Sequence, residues 1–219
     1  MYQIKTPWQR IKAYFEFWII DHEFVRAIYR NFHQISEKAF RSAHPSPDFI
    51  KRLQKEKGLK TIINLRGENK TGQYMLEREA CEALGVKLVS IPFSSRNAPK
   101  PESVKALFQA LDSIEYPVLF HCKSGADRAG IGSALYQFHK NAIPLDESRQ
   151  LRASYGHFKS SETGVLDHFI EEWKKYHQAN PDIKFLTWID TDYDPQQINK
   201  GFKASRFGNL LVNKILRRE

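Results

Sequence analysis

Cys122 and Arg128 stand six positions apart in "VLFHCKSGADRAG", residues 118–130, between an apolar run and a glycine-punctuated turn. The apolar run "YPVLFHC" reads as a short buried strand, and "AGIGSALYQFHK" as a helix that begins inside the stretch itself. The backbone N–H groups of Lys123, Ser124, Gly125, Ala126, Asp127 and Arg128 then turn inward around an anion at a helix N-terminus, where peptide dipoles favour negative charge. Gly125 permits the backbone angles of so tight a turn, and Gly130 permits close packing of the helix. The same field favours the thiolate of Cys122, which is the nucleophilic form. Arg128 offers a planar, two-pronged donor that matches two oxygens of a phosphoryl group. The chemistry this spacing suits is phosphoryl transfer to sulfur.

Elements that would position these residues alternate along the chain. "AFRSAHPSP" contains a short strand, "DFIKRLQKEKG" is a helix ending at Gly58, and "KTIINLRG" is a buried strand. "QYMLEREACEALG" is helical, "VKLVSIPF" is a strand, and "PKPESVKALFQALDSIE" is a proline-initiated helix leading into "YPVLFHC". Downstream, "PLDESRQLRASYG" and "GVLDHFIEEWKKYHQA" read as two more helices. The alternation predicts an α/β fold, a central mostly parallel sheet flanked by helices, with extra helices at both ends.

A cysteine followed by five residues and arginine, preceded by His121 and placed between a strand and a helix, resembles the signature loop of the protein tyrosine and dual-specificity phosphatase superfamily. The similarity is strongest to the small bacterial dual-specificity-like members. "HCKSGADRAG" carries it, "KTIINLRGEN" and "FRSAHPSP" support it upstream, and it spans roughly residues 35 to 178. The resemblance implies a phosphatase fold of the dual-specificity type, attack by Cys122 on phosphorus, and hydrolysis of the resulting phosphocysteine by water. It calls for no cofactor and no metal.

Two departures stand out. Many relatives take the leaving-group proton from an aspartate on a loop some thirty residues before the cysteine, but "IPFSSRNAPKPES", residues 91–103, has none. Asp127 is the substitute acid, as in some superfamily members that act on phosphoinositides; its plainer role is to orient Arg128 or cap the helix. Glu102 reads as a first-turn helix residue and Asp112 lies deep in a helix. The second departure is Ala129, where most relatives carry a hydroxyl that helps stabilise the thiolate. His121 is expected to order the loop from behind, Lys123 to add a cation to the loop floor for phosphate binding, and Arg66 and Arg96 to be candidates for the substrate rim.

Lys and Arg outnumber Asp and Glu by 34 to 25, giving a formal net charge of +9 that suits phosphorylated or anionic partners. Two cysteines, Cys81 and Cys122, make no disulfide framework and show no metal-ligand spacing. "YFEFWII" is too short to span a bilayer and lacks a cleavage site. Residues 1–33 read as an amphipathic helical extension, 34–180 as the phosphatase domain, and 181–219 as a basic C-terminal extension. Trp8, Ile11, Phe15, Trp18 and Ile19 recur at helical spacing, either docking on the core or lying in a membrane interface. The expected place is cytoplasmic, peripheral to the inner membrane surface, with a phosphorylated protein or lipid headgroup as partner and no specific nucleic acid. A catalytically weak phosphate-binding relative and a rhodanese-like sulfur carrier are the alternatives, the latter disfavoured by Arg128 and Asp127.

Overall fold

A computed structural model of the chain describes residues 6–15 and 30–203. Five short strands form one sheet in the order β1-β2-β5-β3-β4. They are β1 (His33–Ser36), β2 (Ala39–Ser42), β3 (Thr61–Asn64), β4 (Lys87–Ser90) and β5 (Val118–His121). β5 lies between β2 and β3, and both pairings are parallel, as is β3 with β4; only edge strand β1 is antiparallel.

Side chains alternate between the two faces of the sheet, as the pleat requires. Ala39, Ile63, Val118 and Phe120 join the larger core, while Phe40, Ile62 and Leu119 join the smaller one. Helices α2 (Pro47–Lys57) and α3 (Gly72–Leu84) cover the smaller core through Phe49, Ile50, Leu53 and Cys81. Over the larger core lie α4 (Pro101–Ser113), α5 (Asp127–Asn141), α6 (Val165–Ala179) and α7 (Phe185–Thr191). Both α2 and α3 start on a side-chain cap, from Ser46 and Thr71, and both end on a left-handed glycine, Gly58 and Gly85.

Three expectations change. "PLDESRQLRASYG" is not an α-helix: it holds only 3₁₀ turns at Leu145–Glu147 and Ala153–Tyr155. Arg149 is left-handed at φ 51°, which breaks the helical path, and the Gln150 carbonyl is drawn away to bond Arg41. The C-terminal boundary also moves, because Phe185, Trp188, Ile189, Tyr193 and Ile198 belong to the larger core rather than to an extension. At the other end the described helix α1 covers Pro7–Phe15, and residues 30–32 are not helical. Trp8 and Ile11 on α1 are exposed. Trp18, Ile19 and the tail "FGNLLVNKILRRE" lie outside the described residues. No described helix is long and apolar enough to cross a membrane.

Candidate active site

Central strand β5 ends at His121, and Cys122 follows at the carboxyl edge of the parallel strands, where α/β sheets bind ligands. Cys122 is only 2% exposed. The loop then turns through Gly125 at φ 75° into α5, whose first turn has no side-chain cap. A Cβ at Gly125 would sit 2.6 Å from the Ala43 nitrogen, so the loop can approach β2 this closely only with glycine.

What shapes the loop is the treatment of its carbonyls. The Lys123 oxygen accepts from the His44 N–H at 3.2 Å, and the Ser124 oxygen from Asn31 Nδ2 at 3.0 Å. Arg41 Nη2 donates to the Gly125 oxygen at 2.7 Å and the Ala126 oxygen at 2.9 Å. Four successive carbonyls are thus held by donors outside the loop, an arrangement that can leave the intervening N–H groups for an anion, although the Ala126 N–H donates to Ser124 Oγ at 3.4 Å. Arg41 is fully buried on β2; its Nη1 donates to the Gln150 carbonyl at 2.7 Å and to Gln150 Oε1 at 2.9 Å, and it lies over the Tyr155 ring. Burial pulls its guanidinium down to about 10, which still leaves it charged at neutral pH. Arg128, half-buried in the first turn of α5, has no hydrogen bond or ion pair with the described residues.

Behind the cysteine, His121 Nε2 lies 2.6 Å from Glu77 Oε1, both side chains fully buried. Asn64 Nδ2 donates to Glu77 Oε2, and the His44 ring packs edge-on against His121. Burial, the strongest influence on Glu77, pushes its carboxyl up, but His121, His44 and Arg66 together outweigh it and hold the group ionised. His121, expected to order the loop from behind, therefore has a close carboxylate partner, Glu77 on α3. His44, Glu77 and His121 are also a set of potential metal donors, with ligand atoms within 4.8 Å of one another. The Arg66 guanidinium, 3.4 Å from His44 Nδ1, already brings positive charge to this cluster, and the geometry is that of a hydrogen-bonded network.

Of the expected rim residues, Arg66 is tied into that network through Gln73 Oε1 at 2.9 Å. Arg96 is exposed and pairs with Glu162 at 3.2 Å, linking the 91–103 loop to the turn before α6. Lys123 and Ser124 are both exposed, so Lys123 is not enclosed in the loop floor as expected. Glu102 occupies the first turn of α4, and Asp112 is bound to His139 and Lys140.

Asp127, first residue of α5, receives His157 Nδ1 at 2.8 Å, and the other ring nitrogen lies 2.7 Å from Asp167 Oδ2. Sequence reading missed this histidine, because its partners come from two separate helices. Burial pushes His157 down, yet the two carboxylate hydrogen bonds more than offset it and raise the ring to about 9. Asp127 is also subject first to burial, which raises it, but bonding to His157 and Thr163 holds it below the ordinary carboxylate value. The sign of the stability effect follows: a histidine raised on folding contributes fully below its unfolded value near 6.5, and that contribution fades as pH rises through about 9. Thermal unfolding from pH 6 to 10 should therefore show a decline worth at most roughly 3 kcal/mol. His157→Gln should flatten that part of the profile; an unchanged decline would place its origin elsewhere.

Solved structures with a similar fold include P. aeruginosa TpbA, at 17% identity and TM-score 0.54, covering 80% of this chain and 92% of that one. TpbA has also been crystallised in complex with pTyr, and that structure aligns at TM-score 0.52 and 19% identity over 71% of this chain and 93% of that one. A DUF442 protein from Shewanella putrefaciens CN-32 aligns at TM-score 0.51 and 23% identity, over 67% of this chain and 93% of that one. No curated protein matches the sequence. The family model PTP-NADK, described as a DSP-PTPase phosphatase fused to NAD+ kinase, matches residues 30–164, from just before β1 to the turn that starts α6. That span contains the loop, Arg41, Glu77 and His157, and the chain belongs to this family of dual-specificity-type phosphatases.

Proposed function

We propose that the protein hydrolyses phosphate monoesters through a phosphocysteine on Cys122, with Arg128 and the 123–128 backbone holding the phosphoryl oxygens and Asp127 supplying the leaving-group proton. The observation that carries this reading is the set of four outward-held carbonyls around a buried thiol at a helix N-terminus. The carrier of the phosphate is an anionic phospholipid headgroup or a phosphoprotein. Exposed Trp8 and Ile11 on α1, with the +9 formal charge, favour a substrate presented at an anionic membrane surface. Binding of pTyr by TpbA supports the phosphoprotein arm at the level of shared fold.

A second reading, a phosphate-binding relative with little turnover, is favoured by Ala129 and by the absence of aspartate from residues 91–103. One panel separates them: an aryl phosphate, phosphotyrosine and phosphoserine peptides, and phosphoinositide or phosphatidylglycerophosphate in anionic vesicles. Turnover of the lipids well above the peptides is expected, with removal of residues 1–30 weakening vesicle binding. Phosphate binding without turnover of any substrate from pH 5 to 8 would establish the second reading. Asp127→Asn should slow substrates with poor alkoxide leaving groups by on the order of 10²-fold or more, and those with good leaving groups far less.

A further inference from the structure

Both nitrogens of His157 face carboxylate oxygens, Asp127 Oδ1 at 2.8 Å and Asp167 Oδ2 at 2.7 Å. A neutral imidazole has one N–H and one lone pair, so it would turn that lone pair on one of two carboxylates. Both contacts are satisfied together only by the doubly protonated ring. His157 is 1% exposed, while Asp127 and Asp167 are 21% and 16% exposed at their side chains, so the ring is sealed and Asp127 is its hydrogen-bond partner next to the active-site loop. The arrangement fits poorly with Asp127 acting by itself, because its carboxylate already accepts a proton donor and rests ionised.

We propose that His157 is a positioning residue that stores the proton Asp127 delivers, with Asp167 fixing the ring from behind. The proposal rests on the reading of Asp127 as the acid. In the first half-reaction the bond from Cys122 Sγ to phosphorus forms and the bond from phosphorus to the leaving oxygen breaks. The Nδ1 proton of His157 moves to Asp127 as Asp127 gives a proton to the leaving oxygen, and the ring is left neutral, keeping its Nε2 proton in the hydrogen bond to Asp167. In the second half-reaction the oxygen of water bonds to phosphorus and the bond from sulfur to phosphorus breaks. The proton lost by water passes to Asp127 and back to Nδ1. The cycle ends with every proton restored and no electron transferred.

The surroundings suit a ring that changes charge. Asp127 comes from α5, Asp167 from α6, and Thr163 Oγ1, from the turn before α6, lies 3.4 Å from Nδ1. Among the described cations, the field of Asp127 reaches Arg41 on β2, and that of Asp167 reaches Lys159, which is itself paired with Glu171. Asp167 is needed because it holds the remaining proton at Nε2 and so presents the Nδ1 lone pair to Asp127 for the return step.

The test compares kcat/KM for a series of aryl phosphates with progressively poorer leaving groups in wild type, Asp127→Asn, His157→Gln and the double variant. Expected is that His157→Gln reproduces the leaving-group dependence of Asp127→Asn, with losses on the order of 10²-fold confined to poor leaving groups, and that the double variant is no slower than Asp127→Asn alone. If His157→Gln slows all substrates equally while Asp127→Asn remains selective, the proton-store role is overturned and the acid role stands. Uniform slowing by Asp127→Asn overturns both. Orthovanadate binding by each variant reports whether the loop is intact. Should His157→Gln fail to fold, nitrogen NMR of the wild-type ring decides: both nitrogens protonated at pH 7.5 is expected, and a singly protonated ring overturns the proposal.

Discussion

Cys122→Ser should lose turnover of an aryl phosphate by on the order of 10⁴-fold or more, while inorganic phosphate still binds within about threefold of wild type. The two halves of the expectation have separate causes. A serine hydroxyl fits the space of the thiol but does not ionise at neutral pH, so the attacking atom is lost. In the proposed mechanism phosphate is held by the loop backbone and Arg128, and that backbone is bonded to donors on β2 and at Asn31 rather than to the sulfur. Cys81 provides the contrast: it is buried in the smaller core, where burial and Glu77 push its thiol up, and Cys81→Ala should leave the rate unchanged. Assay of both variants, with phosphate binding by calorimetry, checks the assignment. Residual turnover by Cys122→Ser above about a tenth of wild type would put the nucleophile elsewhere.

The sheet and the loop were legible in the sequence for a common reason: each is written in contiguous residues. Val118, Leu119 and Phe120 announce a strand buried on both faces, and Cys122, Gly125 and Arg128 follow within one turn. Strand β1, with the sequence HQIS, carries no such run and is held by its pairing with β2. Helix α7 has only seven residues, and its core role depends on Phe185 and Trp188 meeting Phe169 and Trp173 across the fold. The helical spacing of "PLDESRQLRASYG" was real but lost to a stronger demand, the bond between Gln150 and a buried guanidinium.

The supporting residues of the site were hidden for the opposite reason. Arg41 reaches the loop from 84 residues away and His157 reaches Asp127 from 30, so neither partnership has a local spacing to read. A signal existed at Arg41 all the same. In "AFRSA" an arginine interrupts a strand buried at every position, and a charge in such a place must find enclosed partners. His157 had no comparable mark, since it lies in a segment without regular structure.

Arg41→Met should give the largest structural effect of any single change behind the loop. Methionine fills much of the arginine's volume but donates nothing, so the carbonyls of Gly125, Ala126 and Gln150 and the side-chain oxygen of Gln150 lose four donor contacts in a sealed environment. Each buried acceptor left without a donor costs about 1–3 kcal/mol, partly recovered by relaxation, so a net loss of roughly 3–5 kcal/mol in unfolding free energy is expected. The rate should fall by more than stability alone accounts for. The Gly125 carbonyl loses the donor that holds it, the Ala126 carbonyl keeps only the Gly130 N–H at 2.9 Å, and a displacement of about 1 Å in groups proposed to hold a transferring phosphoryl is worth on the order of 10²-fold. Arg41→Lys tests the geometry separately: it restores charge but reaches the two sets of acceptors with one nitrogen instead of two, so it should recover part of the stability and little of the rate. Urea unfolding and kcat/KM on one aryl phosphate, measured for both variants well below the unfolding midpoint, check this. Wild-type rates in folded Arg41→Met would mean that the cradle holds its shape without the guanidinium, leaving Asn31 and the His44 backbone N–H as sufficient supports.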